Sequence, residues 1–423
     1  MSRAVSPGAA SSATLAVCLL VGARATAQEL VPLPTPSPTT KSRFKIGPLG
    51  VTPTIDISTG MDTNVFQTLD GTIPDEVLVI RPALTGQMTV SRTLSLTGLG
   101  YAEMNYFHRE GEQQYTDFAG EGRADLDLGI VGLFGGGGGG QFTDRFAIDV
   151  DDRLERQQEH GYAGAIFHLG HNLSVSAQGS GEIWDFSPGV FRLGGNVKAA
   201  LDRNTLTGTG QIRYTLTHRT TIVAQAEVIQ DRFVSAPILP ARVTNSYRYL
   251  GGFEFGEKAI VQGQILAGVR DLLGSTGNPS YLGPAAAADL QAPVGQALRV
   301  HFIGGRDVLY AAGPAIVLGN LRYRDAFVYS HYLGEGFVAI PLGFTGIGTF
   351  GFEQASYLLP YTAPGAGLAN RLDHRWTTGA RVLHGIGVYV KAGGFVYWSR
   401  RVSSIASYSY EDLRYGALVE ITP

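Results

Sequence analysis

The stretch Thr205-Leu206-Thr207-Gly208-Thr209-Gly210-Gln211-Ile212-Arg213-Tyr214-Thr215-Leu216-Thr217 decides the fold. Its odd positions are polar throughout, and its even positions are Leu206, Gly208, Gly210, Ile212, Tyr214 and Leu216. Successive side chains of a strand point to opposite faces, so this segment has one wet face and one apolar face. A slip of one residue would exchange those faces, which ties the register to the pattern. Working outward, residues 115–128 set Tyr115, Asp117, Glu121, Arg123, Asp125 and Asp127 against Thr116, Phe118, Ala124, Leu126 and Leu128. Residues 173–182 set Ser174, Ser176, Gln178, Ser180 and Glu182 against Leu173, Val175 and Ala177.

Such segments recur from Val51 to the C-terminus with no helical interval. The connections between them alternate. Tight ones are expected near Ser91–Thr93, Gly170–Asn172, His218–Thr220, Glu257–Ala259, Gly334–Gly336 and His384–Ile386. Long polar ones are expected at 63–75, 107–114, 144–158, 186–200, 234–245, 271–280, 358–371 and 400–410. Short periplasmic turns alternating with longer outer loops are the signature of an outer-membrane barrel. The expected fold is therefore all-β: a transmembrane antiparallel up-and-down β-barrel of about eighteen strands. Sixteen is the alternative count, because the segments around 129–143 and 308–320 are weakly marked. The aromatics Tyr101, Tyr106, Phe107, Tyr247, Tyr249, Tyr397 and Trp398 lie near segment ends, where girdles form, although interior packing explains some of them equally well.

Composition agrees. The 423-residue chain has a net charge of -3 and 16% charged residues, against roughly 25% in soluble domains. With no basic patch, nucleic acid is not an expected partner. Residues 1–27 read as a signal peptide, with Arg3, the apolar run Ala13–Gly22 and the Ala25-Thr26-Ala27 cleavage site. The one cysteine, Cys18, lies inside it, so no disulfide, thiolate metal site or cysteine nucleophile is expected beyond it. Residues 28–44, with Pro32, Pro34, Pro36 and Pro38, read as a stiff periplasmic extension, and 45–423 as the barrel. Beyond the signal no run of 18 apolar residues occurs, which leaves the closed barrel as the spanning form.

Inward charges are the candidate pore-lining residues: Glu103, Glu121, Arg123, Asp125, Asp127, Arg213, Glu227, Arg299 and Asp412. Rings of charge in a pore select among solutes, whereas cross-strand pairing would merely stiffen a wet wall. The acidic run Asp149-Val150-Asp151-Asp152 reads as a solvated loop rather than a Ca²⁺ site, since Arg153 breaks the alternation of oxygen ligands. Gly135–Gly140 lacks the Gly-Lys-Ser/Thr ending of a phosphate loop and reads as a thin strand. Ser330 and His331 are adjacent on a strand and so point apart, beyond the reach a nucleophile and its base require. No catalytic residue, metal or cofactor is expected. The last segment presents Leu413, Tyr415, Ala417, Val419 and Ile421 as an apolar stripe, but lacks a terminal aromatic for the barrel-assembly machinery.

Two stretches resemble a family of outer-membrane beta-barrel porins associated with exopolysaccharide systems of Gram-negative bacteria. One is Gly47-Pro48-Leu49-Gly50-Val51-Thr52-Pro53 followed by residues 58–66, Ser-Thr-Gly-Met-Asp-Thr-Asn-Val-Phe. The other begins at Arg213-Tyr214-Thr215-Leu216-Thr217 and continues through Gln230-Asp231-Arg232-Phe233 to Gly252-Phe253-Glu254-Phe255. The resemblance implies a cell-outer-membrane channel contacting lipid and lipopolysaccharide, serving solute transport and linked to polysaccharide or its export proteins. The alternative expectation is a non-conducting surface barrel, an adhesin or an envelope-assembly partner.

Overall fold

The computed structural model describes residues 43–423 except 146, 147, 149, 151, 189–197, 199, 200, 235–241, 275–278, 312–315, 319, 320, 324, 325 and 363–367. Residues 1–27, where a signal peptide is expected, and nearly all of the expected extension 28–44 lie outside the described residues, as do Asp149 and Asp151 of the acidic run.

In chain order the first strands are β1 (Phe44–Ile46), β2 (Leu49–Asp62), β3 (Asp75–Thr89), β4 (Leu94–Phe107), β5 (Tyr115–Asp127), β6 (Val131–Asp144) and β7 (Leu154–His168). Next come β8 (Leu173–Phe186), β9 (Arg203–Thr217), β10 (Thr220–Phe233), β11 (Arg242–Phe255), β12 (Gln262–Leu272), β13 (Tyr281–Val294) and β14 (Leu298–Tyr310). The last are β15 (Ile316–Leu318), β16 (Leu321–Tyr323), β17 (Ala326–Ile340), β18 (Phe344–Thr362), β19 (Leu368–Ile386), β20 (Val390–Ser403) and β21 (Tyr410–Ile421).

Each neighbouring pair is antiparallel, and β2 pairs with both β3 and β21, so the sheet closes. Removing β1, β15 and β16 from the twenty-one leaves an eighteen-stranded ring. At the seam Ile55 faces Ile421 and Asp62 faces Arg414. Below Ile55 the edge of β2 would be bare, and β1 covers it, with Phe44 opposite Val51. The pair β15–β16 forms a separate ribbon in the connection between β14 and β17.

Tight and long connections alternate around the ring as expected, with differences of position. Gly334–Gly336 is not a turn: it lies mid-strand in β17, with Gly334 paired to Phe302 and Phe350. The reversal is at Pro341–Gly343, where Leu342 and Gly343 take φ of 65° and 80°. Outward Gly334 and Gly336 mimic turn composition but sit in extended backbone. His384–Ile386 closes β19 rather than forming the turn, which falls at Gly387, φ 70°. Two unexpected tight reversals use Gly129 (φ 84°) and Gly295 (φ 68°), the conformation glycine adopts without steric cost. The weakly marked 129–143 region is the regular strand β6. The 308–320 region is the end of β14 followed by the ribbon.

Parity holds around the ring. On β9 the even residues are exposed, with Leu206 at 55% and Ile212 at 52%, while the odd ones are partly covered. Phe118, Val228, Phe253, Phe302, Phe350 and Val396 are likewise exposed on the outer face. A band of exposed apolar side chains on every strand of a closed ring matches hydrocarbon, and this is an outer-membrane barrel. Among the aromatics, Tyr106, Tyr247, Tyr249 and Trp398 stand on outward parity. Tyr101, Phe107 and Tyr397 instead face inward, Tyr101 beneath the Arg81 guanidinium at 4.4 Å.

Candidate functional site

The interior has two unlike halves. On β7–β9 the inward residues include Gln158, His160, Ser176, Gln178, Ser180, Thr207, Thr209 and Gln211, all only partly covered. Beside them on the same wall β6 contributes Gly136, Gly138 and Gly140, which leave the wall thin. A methyl group on Gly138 would strike the carbonyl of Gly120, and one on Gly136 would strike the Tyr162 ring. On β19–β21 the inward residues are close-packed instead: Arg375, Arg381, Leu383, Phe395, Arg401, Arg414 and Leu418 are all buried. Leu383, Phe395 and Leu418 join Val65, Val77, Val79 and Phe107 in one apolar cluster inside the ring. Open interior space is therefore concentrated beside β5–β9.

The connection between β6 and β7 reaches over the outer mouth at its described residues Arg145, Ile148 and Arg153. It leaves β6 and returns to β7, yet Ile148, 1% exposed, packs with Phe327, Tyr329, Ala355 and Tyr357 of β17 and β18. Those strands stand eight or nine places away in the eighteen-strand ring, on the opposite wall. Several polar contacts hold the crossing. Arg145 Nη2 donates to Val65 O at 3.1 Å. Arg153 Nη1 donates to Gln113 Oε1 at 2.9 Å, with its guanidinium 4.8 Å above the Phe107 ring. Arg401 Nη1 donates to Ile148 O at 2.5 Å. Burial, and secondarily the like charge of Arg153, pushes the Arg145 guanidinium down to about 9; Arg153 is lowered chiefly by burial.

All nine candidate charges stand on inward parity, in different company. Glu227 pairs with Arg248 at 2.7 Å, and Arg248 also holds Asp307 at 2.7 Å, with Arg270 3.7 Å from Asp307. Asp412 shares Arg414 with Asp62, at 2.7 and 3.2 Å. Arg213 lies 3.3 Å from Glu254. Arg123 and Asp125, two apart on one strand face, meet at 2.6 Å. Glu103 accepts from Asn105 at 3.0 Å and lies 3.9 Å from Arg81. Glu121 approaches His160 at 3.9 Å. Asp127 belongs to a turn, accepting the Gly129 amide at 2.8 Å. Arg299 is exposed, with no hydrogen-bond or ion-pair partner among the described residues. Mutual neutralisation thus absorbs most of the set, leaving Arg299 as the open cation.

The sequence reading did not reach Arg248, Arg270, Asp307, Glu353 or Arg375. The same parity on β11, β12, β14, β18 and β19 would have found them. His301 sits between Asp289 (2.8 Å) and Glu335 (3.5 Å) on neighbouring strands. Ser330 and His331 face opposite sides: Ser330 accepts from Arg306 at 2.9 Å on the outer face, while His331 stacks on inward Tyr329. Among the described residues no three histidine or carboxylate side chains are grouped to hold a metal ion.

No family model matches the chain, and no curated protein matches it. Similar solved structures include the siderophore receptor PirA from Acinetobacter baumannii, at 7% identity over 88% of this chain and 80% of that one, with TM-score 0.44. The Acinetobacter baumannii OccAB3 is 9% identical over 88% of this chain and 99% of that one, with TM-score 0.44. The copper transporter OprC is 10% identical over 85% of this chain and 64% of that one, with TM-score 0.44. At such identities none of the cargo named for those proteins transfers to this chain.

Proposed function

We propose that the chain is a porin-like channel whose diffusive path runs beside β5–β9 and passes beneath Arg145, Ile148 and Arg153 of the connection between β6 and β7. The observation that carries this reading is the contrast between the open, hydroxyl- and amide-lined wall and the packed wall of β19–β21. A barrel of this strand number is wide enough to hold water, and serine, threonine and glutamine bind water and solute alike without fixing a charge. Neutral polyhydroxylated solutes suit that lining, which supports a link to exopolysaccharide export and to its export proteins. The stripe Leu413–Ile421 is the element that the barrel-assembly machinery would read.

The burial of Ile148 favours a second reading, a barrel sealed at its outer mouth that serves as a surface or assembly partner. Single-channel recording in planar bilayers separates the two. Stable ohmic openings, blocked transiently by an uncharged oligosaccharide, are expected for the channel. Absence of current from correctly folded protein, both intact and with residues 146–151 replaced by a short Gly-Ser link, would overturn it in favour of the sealed barrel.

A further inference from the structure

The outer face of β14, β17, β18 and β19 carries two superposed rows. The lower row is aromatic: Tyr332, Phe352 and Trp376 are cross-strand partners, with ring centroids 6.4 Å apart for Tyr332–Phe352 and 4.3 Å for Phe352–Trp376. Two residues further from the tight turns, Arg306, Ser330, Gln354 and His374 are likewise successive cross-strand partners. Arg400, exposed on β20, faces Trp376 and continues the aromatic row. Ser330 and Gln354 stand ten residues from the tight-turn ends Ile340 and Phe344. A tilted strand rises about 2.5 Å per residue, so these residues lie about 25 Å up, at the outer boundary of the hydrocarbon band.

Charge on these four strands is one-signed, whereas beside them Arg400 is the cross-strand partner of Glu411, which accepts from Trp398 Nε1 at 2.8 Å. No aspartate or glutamate occupies an outward position of these four strands. Arg306 donates Nη1 to Ser330 Oγ at 2.9 Å, while its Nε is buried with no hydrogen-bond partner among the described residues. Neither Arg306 nor Arg400 forms a salt bridge with a carboxylate among the described residues. The opposite wall carries outward Glu155, Glu159 and Asp185 in the corresponding outer portion of β7 and β8. An arginine desolvated at a lipid boundary is costly unless an anion meets it, and its planar fork suits phosphate.

We infer that this face binds the phosphorylated glycolipid of the outer leaflet, with acyl chains against Tyr332, Phe352 and Trp376 and phosphate held by Arg306, His374 and Arg400. Arg306 and His374 are three strands apart, about 14 Å by strand spacing. A disaccharide head group phosphorylated at both ends can engage both. Gln354 between them donates to the sugar, while Ser330 is buried and holds Arg306.

The test is native mass spectrometry of the barrel in mild detergent, titrated with purified bisphosphorylated lipid A, with dephosphorylated lipid A and with inorganic phosphate. One lipid A retained per barrel is expected, at least tenfold more weakly in the Arg306→Gln/Arg400→Gln double variant and for the dephosphorylated lipid. Arg232→Gln, outward on β10 four strands from Arg306, should leave retention unchanged. Equal retention by the double variant, or equal retention of the dephosphorylated lipid, overturns the inference. So does displacement by inorganic phosphate at lipid-equivalent concentrations, which would mark a bare anion site. Heat-modifiable migration checks folding of each variant. Should the double variant fail to fold, exposed Arg400→Gln alone must still weaken retention several-fold.

Discussion

Arg401 on β20 donates a hydrogen bond from Nη1 to the carbonyl oxygen of Ile148 at 2.5 Å, although 253 residues separate the two. Arg401 is buried and its guanidinium also lies 5.2 Å above the Tyr410 ring, so the donor is held in place from two sides. The bond ties a segment rooted between β6 and β7 to the far wall of the ring, which makes that segment a candidate for control of the opening.

Freeing the segment should widen the path. Ile148→Asp would place a carboxylate among Phe327, Tyr329 and Tyr357, at a cost of roughly 3 kcal/mol or more for an unpaired buried charge. Single-channel conductance is expected to rise about twofold as the crossing lifts, since the occluded section sets the resistance. Conductance unchanged from wild type would show that the crossing does not limit flow.

Two neighbouring substitutions should separate the faces of β9. Ile212→Arg sets a cation against hydrocarbon about 13 Å from the turn, costing about 2–4 kcal/mol, whereas Gln211→Arg points into water and should cost under about 1 kcal/mol. Urea unfolding in lipid vesicles reads the difference; equal losses would mean the face assignment is wrong.

Arg248 serves two carboxylates, Glu227 and Asp307. Arg248→Met leaves both acids facing each other and should destabilise the barrel by about 2 kcal/mol, less than a fully buried pair because the network borders water. Glu227→Gln added to Arg248→Met should restore part of that loss. A double variant no better than the single one would mean the carboxylates do not repel.

Ion preference should respond unequally to charge reversal. Arg299→Glu, at a cation with no described partner, should move the reversal potential toward cation selectivity most. Arg213→Glu should move it less, because it also places an acid beside Glu254 at the cost of local order. Arg123→Glu, two residues from Asp125, should perturb folding as well as selectivity. Identical reversal potentials for wild type and Arg299→Glu would remove Arg299 from the path.

The glycines of β6 carry an assembly prediction. Gly138→Val would drive a side chain into the Gly120 carbonyl across the strand pair and should abolish heat-modifiable, folded migration. Gly122→Ala on adjacent β5, where an added Cβ meets nothing, should fold normally. Normal folding of both variants would show that the thin wall is not required.

Alternation was legible because hydrocarbon outside and water inside impose a period of two on every spanning strand. Thr205–Thr217 therefore stated its own orientation, and residues 115–128 and 173–182 did the same. Turn positions were less legible: Gly334–Gly336 has turn composition but lies in a strand, while the reversal at Leu342 depends on a positive φ that leucine seldom takes. The inward parity of the nine charges could be read from the chain, but their partners could not. Arg248 finds Asp307 only because three strand pairings and the curvature of the wall bring β11 and β14 together.

By itself the sequence determined a closed wall, its two faces and the membrane in which it sits, since each of these follows from local parity and the need to pair every backbone group. The tertiary structure alone decided that the interior is packed along β19–β21 and open along β5–β9, that Arg145, Ile148 and Arg153 reach across the mouth, and that Arg306 meets Ser330 on the outer face. Ring closure sets which strands oppose one another, and that distance is written in no single segment.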